Sequence, residues 1–250
     1  YVGYESEGFG YNPPKLTSHL DYTGLEISGN EITNTANAAL VLQSITGTEG
    51  SPLTISDNHF YEADASGIWI DCARELSIIG NEINGNNNGF VISQLTDYYA
   101  LNGTIGPKDI DISNNDIYEN TNYGLWLWAG WTSTITINEN KIYLNGTKNA
   151  SNLVASTLDA TCNWWNTTDA YEIAAAVSGD VQFLPFSTSA DPMNCLGVGP
   201  VVNTTQSLSY MTIQAAIDAA NAGDVIEVAA GVYTEQLHIT TNNLTIQGVD

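Results

Sequence analysis

Positive charge is almost missing from this chain. Lys15, Arg74, Lys108, Lys141 and Lys148 are its five cations, set against 28 Asp and Glu for a net charge of −23. A polyanion needs a basic footprint, so nucleic acid and anionic membranes are excluded as partners, and phosphate-handling chemistry is disfavoured. No apolar run is long enough to span a bilayer. The sequence opens Tyr1-Val2-Gly3 with no Met, basic region or apolar core of an export signal, which leads us to expect a mature product or an excised module. Three cysteines, Cys72, Cys162 and Cys195, are too few for a disulfide scaffold and lack metal-ligand spacing. Against these absences, a hydrophobic content of 43% excludes a disordered acidic tail, and 250 residues give room for a continuous core.

What is present is a repeat. The segment from Ile27 to Ile32, Ile-Ser-Gly-Asn-Glu-Ile, returns around Asn58, Asn81, Asn115 and Asn140, with a degenerate copy, Leu158-Asp-Ala-Thr-Cys-Asn163. The successive asparagines, Asn30, Asn58, Asn81, Asn115, Asn140 and Asn163, lie 28, 23, 34, 25 and 23 residues apart. Between them runs a second element, Ala39–Leu42, Gly67–Ile70, Gly89–Ile92 and Gly124–Leu127. Each unit reads as two or three short alternating strands joined by Asn/Gly turns, with no helical period. Such units are too small to bury a face alone and must stack. Leucine-rich horseshoe frames are absent, so the expected fold is all-β, a right-handed parallel β-helix. In it the repeated Asn occupies a left-handed turn conformation and bonds its amide to the coils above and below. The longest loop insertion is Leu95 to Asp109.

These Ile-Ser-x-Asn-x-Ile turns resemble the repeats of the pectin-lyase-like superfamily and of archaeal and bacterial cell-surface β-helix proteins. The stretch Asp159 to Trp165, then Glu172–Val177 and Val181–Phe186, is similar to the way such surface modules end, with Asn163-Trp164-Trp165-Asn166 in place of the usual Asn-Trp-Trp-Gly. The resemblance implies the fold; one β-helix scaffold carries many functions.

Past Phe186 the composition changes. Residues 1–186 are expected to form the coils with their C-terminal cap, 187–208 a linker, and 209–250 a capping helix and first strands. Ile213, Ala216, Ile217 and Ala220 mark an amphipathic helix over Met211–Asn221, with Thr212 or Ser209 as N-cap. Strands are predicted over Val225–Val228, Gly231–Ile239 and Leu244–Gln247. This order resembles the N-terminal cap and first coil of a β-helix, as in pectin methylesterase-like proteins, placed at the end of the chain. Three arrangements remain open: a tandem array of modules, docking of the tail on the next subunit as a filament, or folding of the tail back on its own coils.

No catalytic set emerges. Arg74 beside Glu75 reads as a surface ion pair in a turn, and Asp109 and Asp111 as outward residues on one strand face. His19, His59 and His238 show no metal spacing. No cofactor is expected; Ca2+ at Asp109 to Asn115 is the alternative, although turn chemistry explains the same residues. If Leu40, Ile68, Phe90 and Leu125 point inward, then Val41, Trp69, Val91 and Trp126 point outward in a stack, with Trp128 and Trp131 beyond. That stripe suits cover by the insertion carrying Tyr98 and Tyr99, contact with a neighbouring subunit, or stacking on sugar rings. Tyr1–Tyr4 and Phe9–Pro14 read as interface-like loops. Cys162 and Cys195 flank the end of the coils and suit a disulfide, and Cys72 a buried turn thiol. Sequons at Asn102, Asn145, Asn149, Asn166, Asn203 and Asn243 favour an exported glycoprotein. The expectation is a non-enzymatic, glycosylated structural protein, extracellular or at the cell surface, whose partners are copies of itself. The alternative is a polysaccharide-binding or polysaccharide-modifying β-helix.

Overall fold

Alternation of period two sets the strands. In Leu53–Ser56, Leu53 and Ile55 are buried while Thr54 and Ser56 are half-exposed, and Ile135–Asn138 repeats the pattern. The protein is described by a computed structural model covering residues 2–3, 20–21, 24–43, 45–94, 106–128, 135–190 and 194–249. Three parallel sheets run along it. The first orders β1 (Val2–Gly3), β5 (Leu40–Gln43), β9 (Ser66–Asp71), β12 (Asn88–Ser93), β15 (Tyr123–Leu127), β18 (Lys148–Asn152) and β20 (Val177–Gly179). The second holds β2 (Leu20–Asp21), β6 (Ile45–Thr46), β10 (Arg74–Ile79), β13 (Lys108–Ser113), β16 (Ile135–Asn138), β19 (Leu158–Asp159) and β21 (Val181–Gln182). Alongside, β3 (Glu26–Ser28) pairs with β7 (Leu53–Ser56), which pairs with β10. The third holds β4 (Glu31–Thr33), β8 (His59–Tyr61), β11 (Glu82–Asn84), β14 (Asp116–Tyr118) and β17 (Lys141–Tyr143). The chain therefore winds from second to third to first sheet and repeats, as the sequence repeat predicts.

Inward apolar residues fall in columns. Ile55, Ile78, Ile112 and Ile137 stack in the second sheet, Phe60, Ile83, Ile117 and Ile142 in the third, and Ile68, Phe90, Leu125 and Ala150 in the first. All of them are at most 1% exposed. Full burial of one such aliphatic side chain contributes about 1.5–3 kcal/mol.

The corner between second and third sheets is an amide ladder. The N–H and Nδ2 of Asn58 both donate to Asn81 Oδ1, at 3.0 and 2.9 Å, and Nδ2 also reaches Ile27 O of the preceding coil and Ser56 O. Asn81, Asn115 and Asn140 repeat the arrangement down to Asn163, and Asn30 opens it on Asn58. The ladder asparagines are not themselves left-handed, contrary to expectation. The left-handed position is the residue before each: Gly29, Asp57, Gly80, Asn114, Glu139 and Cys162 (φ 55 to 71°). That residue makes the bend, and the Asn behind it satisfies the backbone groups that the bend releases.

A second ladder, which the sequence reading missed, holds the corner between third and first sheets. Ala63 N donates to Asn86 Oδ1; Asn86 donates to Asn120, Asn120 to Asn145, and Asn145 to Asn149. Its signal was an Asn five residues past Asn81, Asn115 and Asn140. Gly89 and Gly124 belong to this corner: a Cβ on Gly124 would lie 2.7 Å from Asn145 Nδ2, and one on Gly89 2.5 Å from Gly124 O.

The coil stack ends differently from its start. Trp164 bridges to Lys141, Trp165 is buried in the core, and helix α1 (Ala170–Ala176), capped by Asp169, leads directly into β20. The Cys162–Cys195 disulfide and a Phe186–Gly197 bridge then tie the outgoing chain to this end, as expected for the cysteine pair.

A separate sheet follows, in the order β23 (Leu208–Tyr210), β22 (Val201–Asn203), β24 (Val225–Ala229), β25 (Thr245–Val249). The first two pairings are antiparallel and β24–β25 is parallel. Helix α2 (Ile213–Asp218) packs Ile213, Ala216 and Ile217 on Val201, Ile226 and Val228. Thr212 Oγ1 caps it, and the Glu235 carboxylate accepts from Ile213 N and Gln214 N. Three expectations are corrected here. The segment 187–208 is not all linker, because β22 within it is an inner strand of this sheet. The helix is shorter than Met211–Asn221. Residues 231–239 form no strand, leaving Val232 (92% exposed) and Ile239 without a pairing partner to bury them. Among the described residues these four strands pair only with one another, and Met211 packs back on the first core.

Replacing Asn115 by Ala strands Asn81 N–H and Ile78 O in the interior. The expected cost is about 3 kcal/mol in urea or thermal unfolding, whereas Asn30→Ala at the exposed end should cost under about 1 kcal/mol. Equal losses at the two positions would show that the corner amides do not hold the stack.

Candidate functional site

The outer face of the first sheet follows from alternation in β5, β9, β12 and β15. Ile68, Ile70, Phe90, Ile92, Leu125 and Leu127 point inward, and register places Val41, Trp69, Val91, Trp126 and Ser151 in one outward row. Trp69 Nε1 donates to Ser93 Oγ at 2.9 Å, which fixes its ring. Trp126 stacks between Tyr123 and Trp128, with centroids 5.5 and 5.8 Å away, and Trp128 is 46% exposed. Trp131, Tyr98, Tyr99, Asn102, His19 and the Tyr1–Tyr4 and Phe9–Pro14 side chains lie outside the described residues.

Sequence reasoning missed the polar row beside this stripe. Gln43, Asp71 and Ser93 stand two residues past Val41, Trp69 and Val91, outward by alternation yet buried. Gln43 Nε2 and Ser93 Oγ donate to the two Asp71 oxygens at 3.2 and 3.1 Å, and the buried Cys72 thiol lies 3.8 Å from one of them. Hydrogen bonding on both oxygens is what lets a carboxylate stay inside the protein.

The outer face of the third sheet is a polar lattice. One row reads Glu31, His59, Glu82, Asp116, Lys141 and the next Thr33, Tyr61, Asn84, Tyr118, Tyr143. Tyr61 donates to Glu31 and Tyr118 to Glu82, Asn84 donates to Tyr118, Asn84 also meets His59, and Lys141 pairs with Asp116 at 3.2 Å. The Tyr118 and Tyr143 rings stack at 5.3 Å. Acceptance by Glu82, then burial, pushes the Tyr118 phenol up to about 12; burial, then Asp116, pushes Tyr143 to about 12.

Other sequence candidates are dispersed. Asp109 and Asp111 share the outer face of β13, as expected, but Asp109 pairs with Lys108 at 2.8 Å. Asn115, counted toward a Ca2+ loop, turns inward into the ladder. Among the described residues no group of three or more His, Cys, Asp or Glu converges as metal ligands. Arg74 opens β10 rather than a turn, and its Nε donates to Gly106 O. His238 lies between β24 and β25, its backbone N–H bonded to Gln214. Three sequons are corrected: Asn149 and Asn203 are buried, and Asn145 has its amide in the second ladder. Asn203 Nδ2 instead donates to Asp224, lowering that carboxyl below its usual range. Asn166 and Asn243 are exposed at left-handed positions.

Three parallel sheets, asparagine ladders at two of the corners between them and apolar columns inside are one architecture. The fold is a right-handed parallel β-helix. Residues 19–105 match the family model described as a right handed beta helix region. No curated protein and no solved structure matches the chain. The β-helix family contains enzymes and non-enzymes alike, so function rests on the faces just described.

Absorbance titration should find Tyr118 and Tyr143 ionising near pH 12. Their raised folded pKa values mean that the stability they contribute is complete below pH about 10 and is lost as pH rises toward 12. Glu82→Gln should return Tyr118 toward 10, and an unchanged titration would refute the Glu82 contact.

Proposed function

We propose that this chain is a structural β-helix module of an extracellular or cell-surface assembly, stacking head to tail into a glycosylated fibre, sheath or array, with no catalysis of its own. One observation carries this reading. After the first stack has ended at β20 and β21, a helix-capped sheet starts a new parallel stack at β24–β25. Continuous coils pair nearly every backbone group along the axis and make a stiff, protease-resistant rod. A charge of −23 keeps such rods apart in solution and lets cations bridge them. The Cys162–Cys195 disulfide suits an oxidising exterior.

Sedimentation and negative-stain imaging of the purified chain should reveal concentration-dependent linear assemblies; monomers at every concentration would remove the reading. Material made in a glycosylating host should carry glycans on Asn166 and Asn243. Glycopeptide mass spectrometry should find none on Asn149 or Asn203, whose amides the fold buries.

The second reading, a polysaccharide-binding or polysaccharide-modifying β-helix, is favoured by the Trp126–Trp128 stack on the first sheet, with the buried Asp71 carboxylate beside Trp69. Replacing Trp69 and Trp126 by Ala separates the two. Loss of glycan binding or sugar release with assembly intact supports the second, and impaired assembly supports the first.

A further inference from the structure

We propose that the cavity between the end of the coil stack and the β22–β23 hairpin is a binding site for an uncharged, mainly apolar small molecule. The inference stands apart from the head-to-tail reading and concerns a different surface.

The walls come from two bodies. Leu184 and Pro185 lie just past the last coil strand, Val202, Leu208 and Tyr210 belong to the hairpin, and Val198 lies on the chain that joins them. The cavity measures about 510 Å3, within the range of about 300–1,000 Å3 that small-molecule sites occupy. All its lining residues are among those described, and β23 and β25 are opposite edges of their sheet, so a strand added beyond β25 lies away from it.

The joint fixes the separation of the walls. A Cβ on Gly199 would lie 2.4 Å from Tyr210 O and 2.9 Å from Leu184 Cδ1, so the bare backbone of Gly199 is wedged between the two. Earlier in the chain, the Cys162–Cys195 disulfide and the paired Phe186 and Gly197 backbones hold the outgoing segment on the last coil. Met211 packs on the first core while its neighbour Tyr210 packs on the second. A cavity built on these contacts is formed before any ligand arrives, which spares binding the cost of ordering the chain.

Charge selects the ligand. A chain with 28 acids and a net charge of −23 places no charged side chain on this lining. An ionic group there would lose its water and gain no counter-ion. The surface on offer is mostly aliphatic, and Val198 and Leu208, 55% and 50% exposed, give an apolar occupant area to remove from water. Gln182, Ser209 and Tyr210 add neutral hydrogen-bonding groups, and among the described residues their side chains bond to no other protein group. The chemistry that matches is a ring-sized apolar body carrying one or two uncharged polar groups.

Fluorescence titration of the full chain tests this with two dyes that share a ring system. N-phenyl-1-naphthylamine is uncharged, and 8-anilino-1-naphthalenesulfonate adds one sulfonate. The uncharged dye should bind saturably at one site per chain, about tenfold or more tightly than the sulfonate. Ser209 is half-exposed on the edge strand β23, a position that admits a larger side chain. Ser209→Trp should weaken the uncharged dye about tenfold or more, because the indole takes the volume the dye needs. Ser209→Lys should narrow or reverse the preference, because its ammonium supplies the counter-ion that the lining lacks. Unchanged affinities in both variants would place the dye elsewhere and overturn the site. A sulfonate bound as tightly as the neutral dye by the wild-type chain would overturn the ligand class, and no saturable binding would overturn the proposal outright.

Discussion

The structure depends on one local interaction, the amide of an asparagine placed just after a left-handed residue. A left-handed non-glycine residue costs about 1–2 kcal/mol, and this chain accepts that cost at Asp57, Asn114, Glu139, Glu62, Glu119 and Leu144. The bends free backbone carbonyls and N–H groups in the interior, where leaving one unpaired costs about as much again. Asn is the side chain that can answer, because one amide carries two donors and an acceptor. Serving the coil above, the coil below and its own turn at once, it converts each corner from a strain into a joint between rungs.

With two such corners per coil, the aliphatic columns have little freedom of register. A slip of one residue would move Ile78 and Ile112 outward and break the amide chain at the same time. This double constraint leaves the outer faces free to vary. The third sheet engages its own face, with Lys141 paired to Asp116 and tyrosines donating to Glu31 and Glu82. The first sheet presents aromatics.

Legibility followed the range of the forces. The main ladder was readable because Asn30 to Asn163 recur within a fixed local pattern, and inward Ile68, Phe90 and Leu125 follow from simple alternation. The second ladder passed unnoticed because its members, Asn86, Asn120 and Asn145, sit in variable surroundings and only stacking gives them a common job. Asp71 was missed for a related reason. Alternation places it outward, where an Asp attracts no notice, and burial alone reveals it. The sequons at Asn149 and Asn203 are real as triplets but buried as side chains. The strand expected over 231–239 has the right alternation but no neighbouring rung to complete it, since a strand exists only when its hydrogen bonds have somewhere to go.

The amino-acid order by itself determined the repeat, the parallel stacking and the inward columns, because short-range periodicity and turn chemistry act within a few residues. The tertiary structure alone decided which residue of each turn is left-handed, which amides join coils, and which outward groups are covered. It also decided that Val201–Asn203 belongs to a new sheet rather than to a linker. Those outcomes depend on hydrogen bonds between residues 20 or more apart, whose partners become defined only when one coil lies on the next.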